Sequence, residues 1–247
     1  MTVTVEAGPT PVRGPASVLA AVAVVPAVVG AALGWLAGGI IGLVVGFILL
    51  GAVAPLGVWR RAGQLTAGGL GAPPADRQAQ ARLFNLVEGL CVSSGVTPPD
   101  VRVLPAAGLN VATVGRDEGR STLVVTSALL DRLSRIELEG ILAVAIAGIR
   151  RGDTRAATVV AAAWGLGVDR VLTPTRDAAI DDAGVTVTRY PPGLAAAYTT
   201  LIAEGTTVPG VTRSLAPLWL ADPRPPGSPP AAYRTPLDQR LAALEER

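Results

Sequence analysis

Three carboxylates crowd one short stretch of this chain: Asp177, Asp181 and Asp182. On a helix, Asp177 and Asp181 stand one turn apart and share a face. An all-carboxylate site suits Mg²⁺ or Ca²⁺ rather than zinc hydrolysis. The same residues can equally be paired with arginine or solvated. Glu137 is a further carboxylate, and Cys91 is the one thiol. A single cysteine excludes an intramolecular disulfide and a cysteine-based zinc cluster. Cys91 recurs at helical spacing with Leu83, Val87 and Leu90, which reads as a small buried residue on a helix face.

Two absences narrow the chemistry further. The 247 residues include no His, and all 21 basic residues are Arg, so there is no Lys. Ser-His-Asp, Cys-His and Ser-Lys arrangements are therefore impossible. No phosphate-binding loop is present, and Gly165-Leu-Gly167 lacks the remaining glycine and the preceding strand of a dinucleotide site. No basic stripe with interleaved aromatics points to nucleic acid. Net charge is only +2, so no strongly charged partner is implied. The Ala, Gly, Val, Pro and Arg usage reads as that of a GC-rich genome, so Arg in place of Lys says nothing about phosphate.

Half of the residues are hydrophobic and 16% are charged, which suggests a membrane part. No charge occurs between Arg13 and Arg60. As one helix, residues 16–58 would be about 65 Å long against about 30 Å of bilayer hydrocarbon. The stretch is therefore expected to fold back at Gly38-Gly39 as a two-helix transmembrane hairpin. A signal peptide would have a shorter apolar core. Trp35 and Trp59 fall near the expected interfaces, and Arg13 with Arg60-Arg61 places both ends in the cytoplasm. Gly30, Gly34, Gly38, Gly42 and Gly46 recur every fourth residue. Small residues at that spacing bring membrane helices close. Because the ladder crosses the turn, packing within the hairpin is favoured over dimerisation.

The expected organisation is a cytoplasmic tail at 1–15, the hairpin at 16–59, a Gly/Ala/Pro-rich linker at 60–74 and a globular domain at 75–247. In that domain, residues 101–104 and 122–126 read as short strands, and residues 110–113 as another strand or a hairpin arm. Helices are expected from Ser127, over 136–150, and over 174–204 with a break at Pro191-Pro192. The apolar run at 156–168 is too short to span a membrane. Residues 223–230 form a Pro-rich connector. At the start of a last helix Thr235 can cap, with Pro236 in the first helical position and Asp238 in the first turn.

Several of these stretches stand in a known order. Ser94-Gly-Val-Thr-Pro98-Pro99-Asp-Val-Arg-Val leads to Asn110-Val111-Ala112. Glu137-Leu-Glu139 then leads to Ile141-Leu-Ala-Val-Ala-Ile-Ala-Gly-Ile-Arg-Arg-Gly-Asp153. Arg176-Asp177-Ala-Ala-Ile-Asp181-Asp182 and Arg234-Thr-Pro236-Leu-Asp-Gln-Arg240-Leu-Ala-Ala-Leu follow. Over roughly residues 16–247 the chain resembles the membrane zinc metallopeptidases that include the heat-shock protease HtpX and the CAAX prenyl endopeptidase. The resemblance implies a mainly helical α+β, zincin-like metallopeptidase domain with a small β-sheet behind the membrane hairpin. In that family His-Glu-x-x-His places two imidazoles one turn apart on a zinc ion, with a Glu to activate its water. The matching positions here are Val144, Ala145 and Gly148. The family's third ligand, a Glu, matches Asp177. The His of a closing Thr-His-Pro segment is missing between Thr235 and Pro236.

The resemblance thus implies a family member without its zinc, its catalytic residues or any other cofactor. Apolar packing of Val144 and Ala145 into the former metal cavity is expected to offset part of the lost cross-link. Substrate peptide in the family is thought to pair along the edge strand, here Asn110, Val111 and Ala112. Backbone pairing of that kind needs no zinc. A turn residue between two strands is an equal reading of Asn110. The expected function is a catalytically inactive membrane homologue, at the plasma membrane of a bacterium, multi-pass, with its domain in the cytoplasm. It would hold a peptide or membrane-protein client, or regulate an active protease paralogue. Two alternatives stand beside it: a hydrolase using carboxylates such as Glu137, Asp177 and Asp181, and a purely structural membrane subunit.

Overall fold

The computed structural model describes residues 16–246. The tail at 1–15, and with it the part of Arg13 in the topology argument, lies outside the described residues. Helix α1, Ala16–Gly68, is two arms joined at Gly38 and Gly39, where Gly39 takes φ 60° and ψ −139°. The glycine ladder joins these arms within the chain. A methyl group at Gly34 would fall 1.9 Å from the Gly42 carbonyl oxygen, and one at Gly30 would fall 2.1 Å from that of Gly46. Backbone meets backbone there, which only glycine permits. Ala16–Gly71 is long and apolar enough to cross a membrane, and its most apolar stretch is uncovered by the rest of the chain. Leu36 and Ile41 near the tip are about four-fifths exposed. Only the base of the hairpin, at Val18, Val58 and Ala62, enters the core.

The expected linker differs from what the structure shows. Residues 60–68 continue the helix. Ala62 is fully buried, and the Thr66 carbonyl accepts from the Thr122 hydroxyl at 2.9 Å. Arg102 donates to the carbonyls of Ala67 and Ala72. Tertiary anchoring therefore holds a stretch whose composition alone reads as loose.

Helix α2, Ala81–Ser94, buries Leu83, Leu86, Val87, Leu90 and Cys91 on one face. Strands β1 (Asp100–Leu104), β2 (Val111–Asp117) and β3 (Arg120–Thr126) follow. The sheet order is β1-β3-β2, with β1 parallel and β2 antiparallel to β3. The central strand β3 is buried from Ser121 onward, as a strand covered on both faces must be. Next come α3 (Ser127–Arg132), α4 (Arg135–Arg150), α5 (Asp153–Ala162), α6 (Val168–Val171), α7 (Pro174–Thr188), α8 (Pro191–Glu204) and α9 (Leu237–Glu245).

Helix α4 explains its own composition. Ser134 and Glu137 form a capping box at its start. Every residue from Gly140 to Ile149 is buried, so the helix is apolar all round because neighbours enclose it on all sides. Small side chains let those neighbours close. A methyl at Gly140 would come within 3.1 Å of the Leu194 backbone on α8. One core cluster gathers α2, α4, α7 and α8, and a second gathers the hairpin base, β2, α5, Trp219 and Tyr233.

Candidate functional site

The centre of α4 is closed by α7. Val144 is fully buried, and a methyl added to Gly184 would fall 2.7 Å from its Cγ2 and 2.9 Å from its Cα. The two helices touch there with no room for a larger group. One turn on, Gly148 faces Thr154 and Ile180, whose nearest atoms would lie 3.7 and 3.9 Å from an added methyl. Between them remains a cavity of about 30 Å³, lined among others by Val144, Ala145, Gly148, Asp153, Arg176 and Trp219. That is space for about one water molecule.

Two charges border this cavity. Asp153 is fully buried, and its Oδ2 accepts from Arg151 Nε at 3.0 Å. Its Oδ1 faces Arg176 Nε across 3.9 Å, an ion pair too long for a hydrogen bond. Neither of these two atoms, nor Trp219 Nε1, has a hydrogen-bond partner among the described residues.

The carboxylates of α7 face the C-terminal segment instead. Asp177 Oδ2 accepts from the Thr235 backbone N–H at 2.9 Å. Thr235 does not cap α9; its hydroxyl donates to the Pro174 carbonyl, and Pro236 stands at the cap position. Asp181 accepts from Arg240 Nε at 2.8 Å and from the Tyr198 hydroxyl at 2.6 Å, all three groups being buried. Burial works against the Arg240 charge, but Tyr198 and Asp181 beside it raise its pKa above the ordinary value. Burial pushes the Tyr198 hydroxyl well up, with the Asp181 charge adding and Arg240 opposing. Glu137 is pulled below the usual carboxylate range. Burial would raise it, but hydrogen bonds from Ser134 and Thr200 outweigh that.

Cys91 lies in the apolar cluster of α2, where burial and the nearby Glu88 charge push its thiol up to about 11. Among the described residues no group of three or more His, Cys, Asp or Glu side chains could hold a metal ion. The residues do not fit zinc. Val144, Ala145 and Gly148 carry no donor, and Asp177 is engaged by Thr235.

The edge strand is also occupied. Asn110 lies in the connection between β1 and β2 and is fully buried there. Its amide donates to the carbonyls of Thr206 and Ala221, and its Oδ1 accepts from the backbone of Val111 and Ala221. Beyond it, Ala112 bridges to Trp219 in antiparallel fashion, and the Leu220 N–H donates to the Val111 carbonyl at 2.8 Å. Residues 219–221 thus lie along the free edge of β2 as a strap. The half-buried Arg234 holds that strap through the carbonyls of Ala216, Trp219 and Leu220.

The structure therefore separates the residues singled out from sequence into three places. Val144, Ala145 and Gly148 line the small cavity. Asp177 and Asp181 anchor the C-terminal segment. Asn110, Val111 and Ala112 hold the strap. Sequence reasoning missed Trp219 and Tyr198 as partners of these groups. Arg234 and Arg240 stood in one quoted stretch, but nothing local marked what they hold.

Comparison with known proteins places relatives beside this geometry. A protease HtpX homologue of Tropheryma whipplei strain Twist is 26% identical, over 71% of this chain and 76% of its own length. One of Dictyoglomus turgidum is 26% identical over 68% of this chain and 70% of its own length. One of Dictyoglomus thermophilum is 40% identical over a shorter 84 residues, 34% of this chain and 28% of its own length. No family model matches the chain. No solved structure matches it significantly.

Proposed function

We propose that this chain, an HtpX-like protein by its relatives, is a membrane-anchored pseudoprotease that binds a peptide or membrane-protein partner without cleaving it. One observation carries the reading: in a chain with no His, the centre of α4 is packed shut by Gly184 against Val144. The zincin-like arrangement would then survive as a scaffold, with Val144, Ala145 and Gly148 as the former motif positions and Asp177 as the former third ligand. Residues 16–59 would span the membrane twice. The domain at 75–247 would stand in the cytoplasm at the plasma membrane of a bacterium, where an active protease paralogue is a candidate partner.

A peptide pairing at Asn110, Val111 and Ala112 must first displace residues 219–221, since they occupy that edge. The same occupancy favours a second reading, a purely structural membrane subunit whose edge strand is permanently filled. The carboxylate hydrolase fares worse, because Glu137, Asp177 and Asp181 are each engaged separately.

The test is metal content and hydrolysis together. Detergent-purified protein is exposed to zinc, desalted and measured by mass spectrometry, then incubated with an unfolded protein substrate. The expectation is no stoichiometric metal and no cleavage. Tightly held zinc with cleavage would overturn the reading. Cleavage without metal that disappears in Asp177→Ala would establish the carboxylate hydrolase instead.

A further inference from the structure

We infer that the turn at residues 163–167 is a second membrane contact, which seats the globular domain on the phospholipid head-group layer beside the hairpin. The inference rests on the reading of α1 as a membrane hairpin.

Trp164 and Leu166 are 63% and 58% exposed, although both are large and apolar. The turn that presents them is well defined. Trp164 takes φ 55° between helical residues and Gly165 at φ 79°, and the N–H groups of residues 164, 165 and 166 all donate back to α5 or to Ala163. A bulky residue in the left-handed region is strained, so the fold holds Trp164 outward at some cost.

What lies beside it indicates the occupant. The Arg61 guanidinium stacks on the Trp164 ring at 4.2 Å. Arg61 follows the end of the apolar run by three residues, about 4.5 Å along the helix axis. The pair therefore sits where hydrocarbon gives way to head groups. Arg116 stacks on Trp59 at 5.1 Å on the same arm. Exposed tryptophans backed by arginines match this layer: the rings suit the interface and the guanidinium groups suit lipid phosphate. A cavity of about 530 Å³ opens beside Trp164, with Arg213 and Asp169 on its wall, wide enough for a lipid head group. The contact is continuous with the hairpin, because α5 packs on the hairpin base through Val58 and Ala62.

The one thiol, Cys91, is buried, so a Cys91→Ser background permits single spin labels. The full chain is reconstituted into vesicles of phosphatidylglycerol and phosphatidylcholine, with labels in turn at Leu166→Cys, Ile41→Cys and Val92→Cys. Ile41 reports the hairpin, and Val92, 84% exposed on α2, reports the aqueous face. The expected result is that the label at 166 loses access to a water-soluble nickel chelate relative to 92 and gains access to oxygen, as at 41. Water accessibility at 166 equal to that at 92, with 41 embedded, overturns the second contact alone. Water accessibility at 41 as well overturns the membrane reading and this inference with it.

Discussion

Writing His-Glu-x-x-His, the motif of the metallopeptidases this chain resembles, into α4 tests whether its centre is truly closed. The perturbation is Val144→His, Ala145→Glu and Gly148→His together. These add about three, four and six heavy atoms, while the cavity of about 30 Å³ holds roughly one water. Gly148 alone has slack, since an added methyl meets nothing nearer than 3.7 Å. Gly148→Ala should therefore be neutral, or stabilising by up to about 1 kcal/mol from helix propensity. Val144→His has none, because α7 already touches that position through Gly184. Overpacking costs about 1–3 kcal/mol per site, and the room at Gly148 suffices for a methyl but not for an imidazole, so Val144→His and Gly148→His together cost about 2–6 kcal/mol before the buried glutamate is counted. That is comparable with a whole domain's stability of about 5–15 kcal/mol. The assay is thermal unfolding by circular dichroism in detergent, with zinc content measured on the same samples. The triple variant should unfold far below the parent and retain no zinc. A triple variant with the parent's midpoint and one zinc per chain would show that α7 yields easily, and would refute the packing argument.

Three further outcomes follow from the geometry. Asp181→Asn and Arg240→Met should each cost about 3–5 kcal/mol, because each leaves a buried partner uncompensated; the double variant should lose much less than the sum, as read by urea unfolding. Gly34→Leu should drive the hairpin arms apart, since even a methyl would overlap the Gly42 carbonyl, while Gly57→Ala meets nothing within 4 Å and should be silent; spin labels at positions 29 and 47 report the distance. The folded chain favours the neutral Cys91 thiol, whose pKa is raised from 9.0 to about 11. Its contribution to stability is full below pH 9 and is lost as pH rises toward 11, so Cys91→Ala should flatten the stability curve across that window in pH-dependent unfolding.

Sequence reasoning reached the parts of this fold that local rules govern. The Gly38-Gly39 turn was legible because a glycine pair interrupts a run too long to cross a bilayer once. The strands β1 and β3 and the buried face of α2 were legible from residue type and period. The continuation of α1 through residues 60–68 was not, because Ala62 and Thr66 are fixed by β3 and α5, elements distant in sequence. The candidate site divides the same way. The apolar centre of α4 was readable, and packing of Val144 and Ala145 was expected, but that Gly184 of α7 closes against Val144 was not. The roles of Asp177 and Asp181 were left open between arginine pairing, solvent and metal. Their partners, Thr235 and Arg240, lie 58 and 59 residues away. The strap at 219–221 carries no periodic signal at all, since it pairs through backbone and is held by a guanidinium 14 to 18 residues downstream.

That strap decides what any partner of β2 must supply. Its backbone bond to the Val111 carbonyl would be replaced by one from an incoming extended peptide, so it weighs little in the exchange. What the peptide cannot replace is the burial of Trp219, which is 2% exposed, and the three carbonyls held by Arg234. Arg234→Met leaves the apolar packing of Trp219 in place and removes only those bonds. A hydrogen bond to a charged group is worth about 1.5–3 kcal/mol, so opening of the strap should become at least roughly tenfold more frequent. Hydrogen exchange over residues 216–222 reads this directly, because the Leu220 N–H is protected by the Val111 carbonyl. Faster exchange confined to that segment would mean the edge of β2 is closed by a latch that a partner can lift. Unchanged protection would mean that Trp219, with Asn110 bonded to Ala221 and Arg240 to the Leu220 carbonyl, holds the strap, and that the edge belongs to the core rather than to a binding surface.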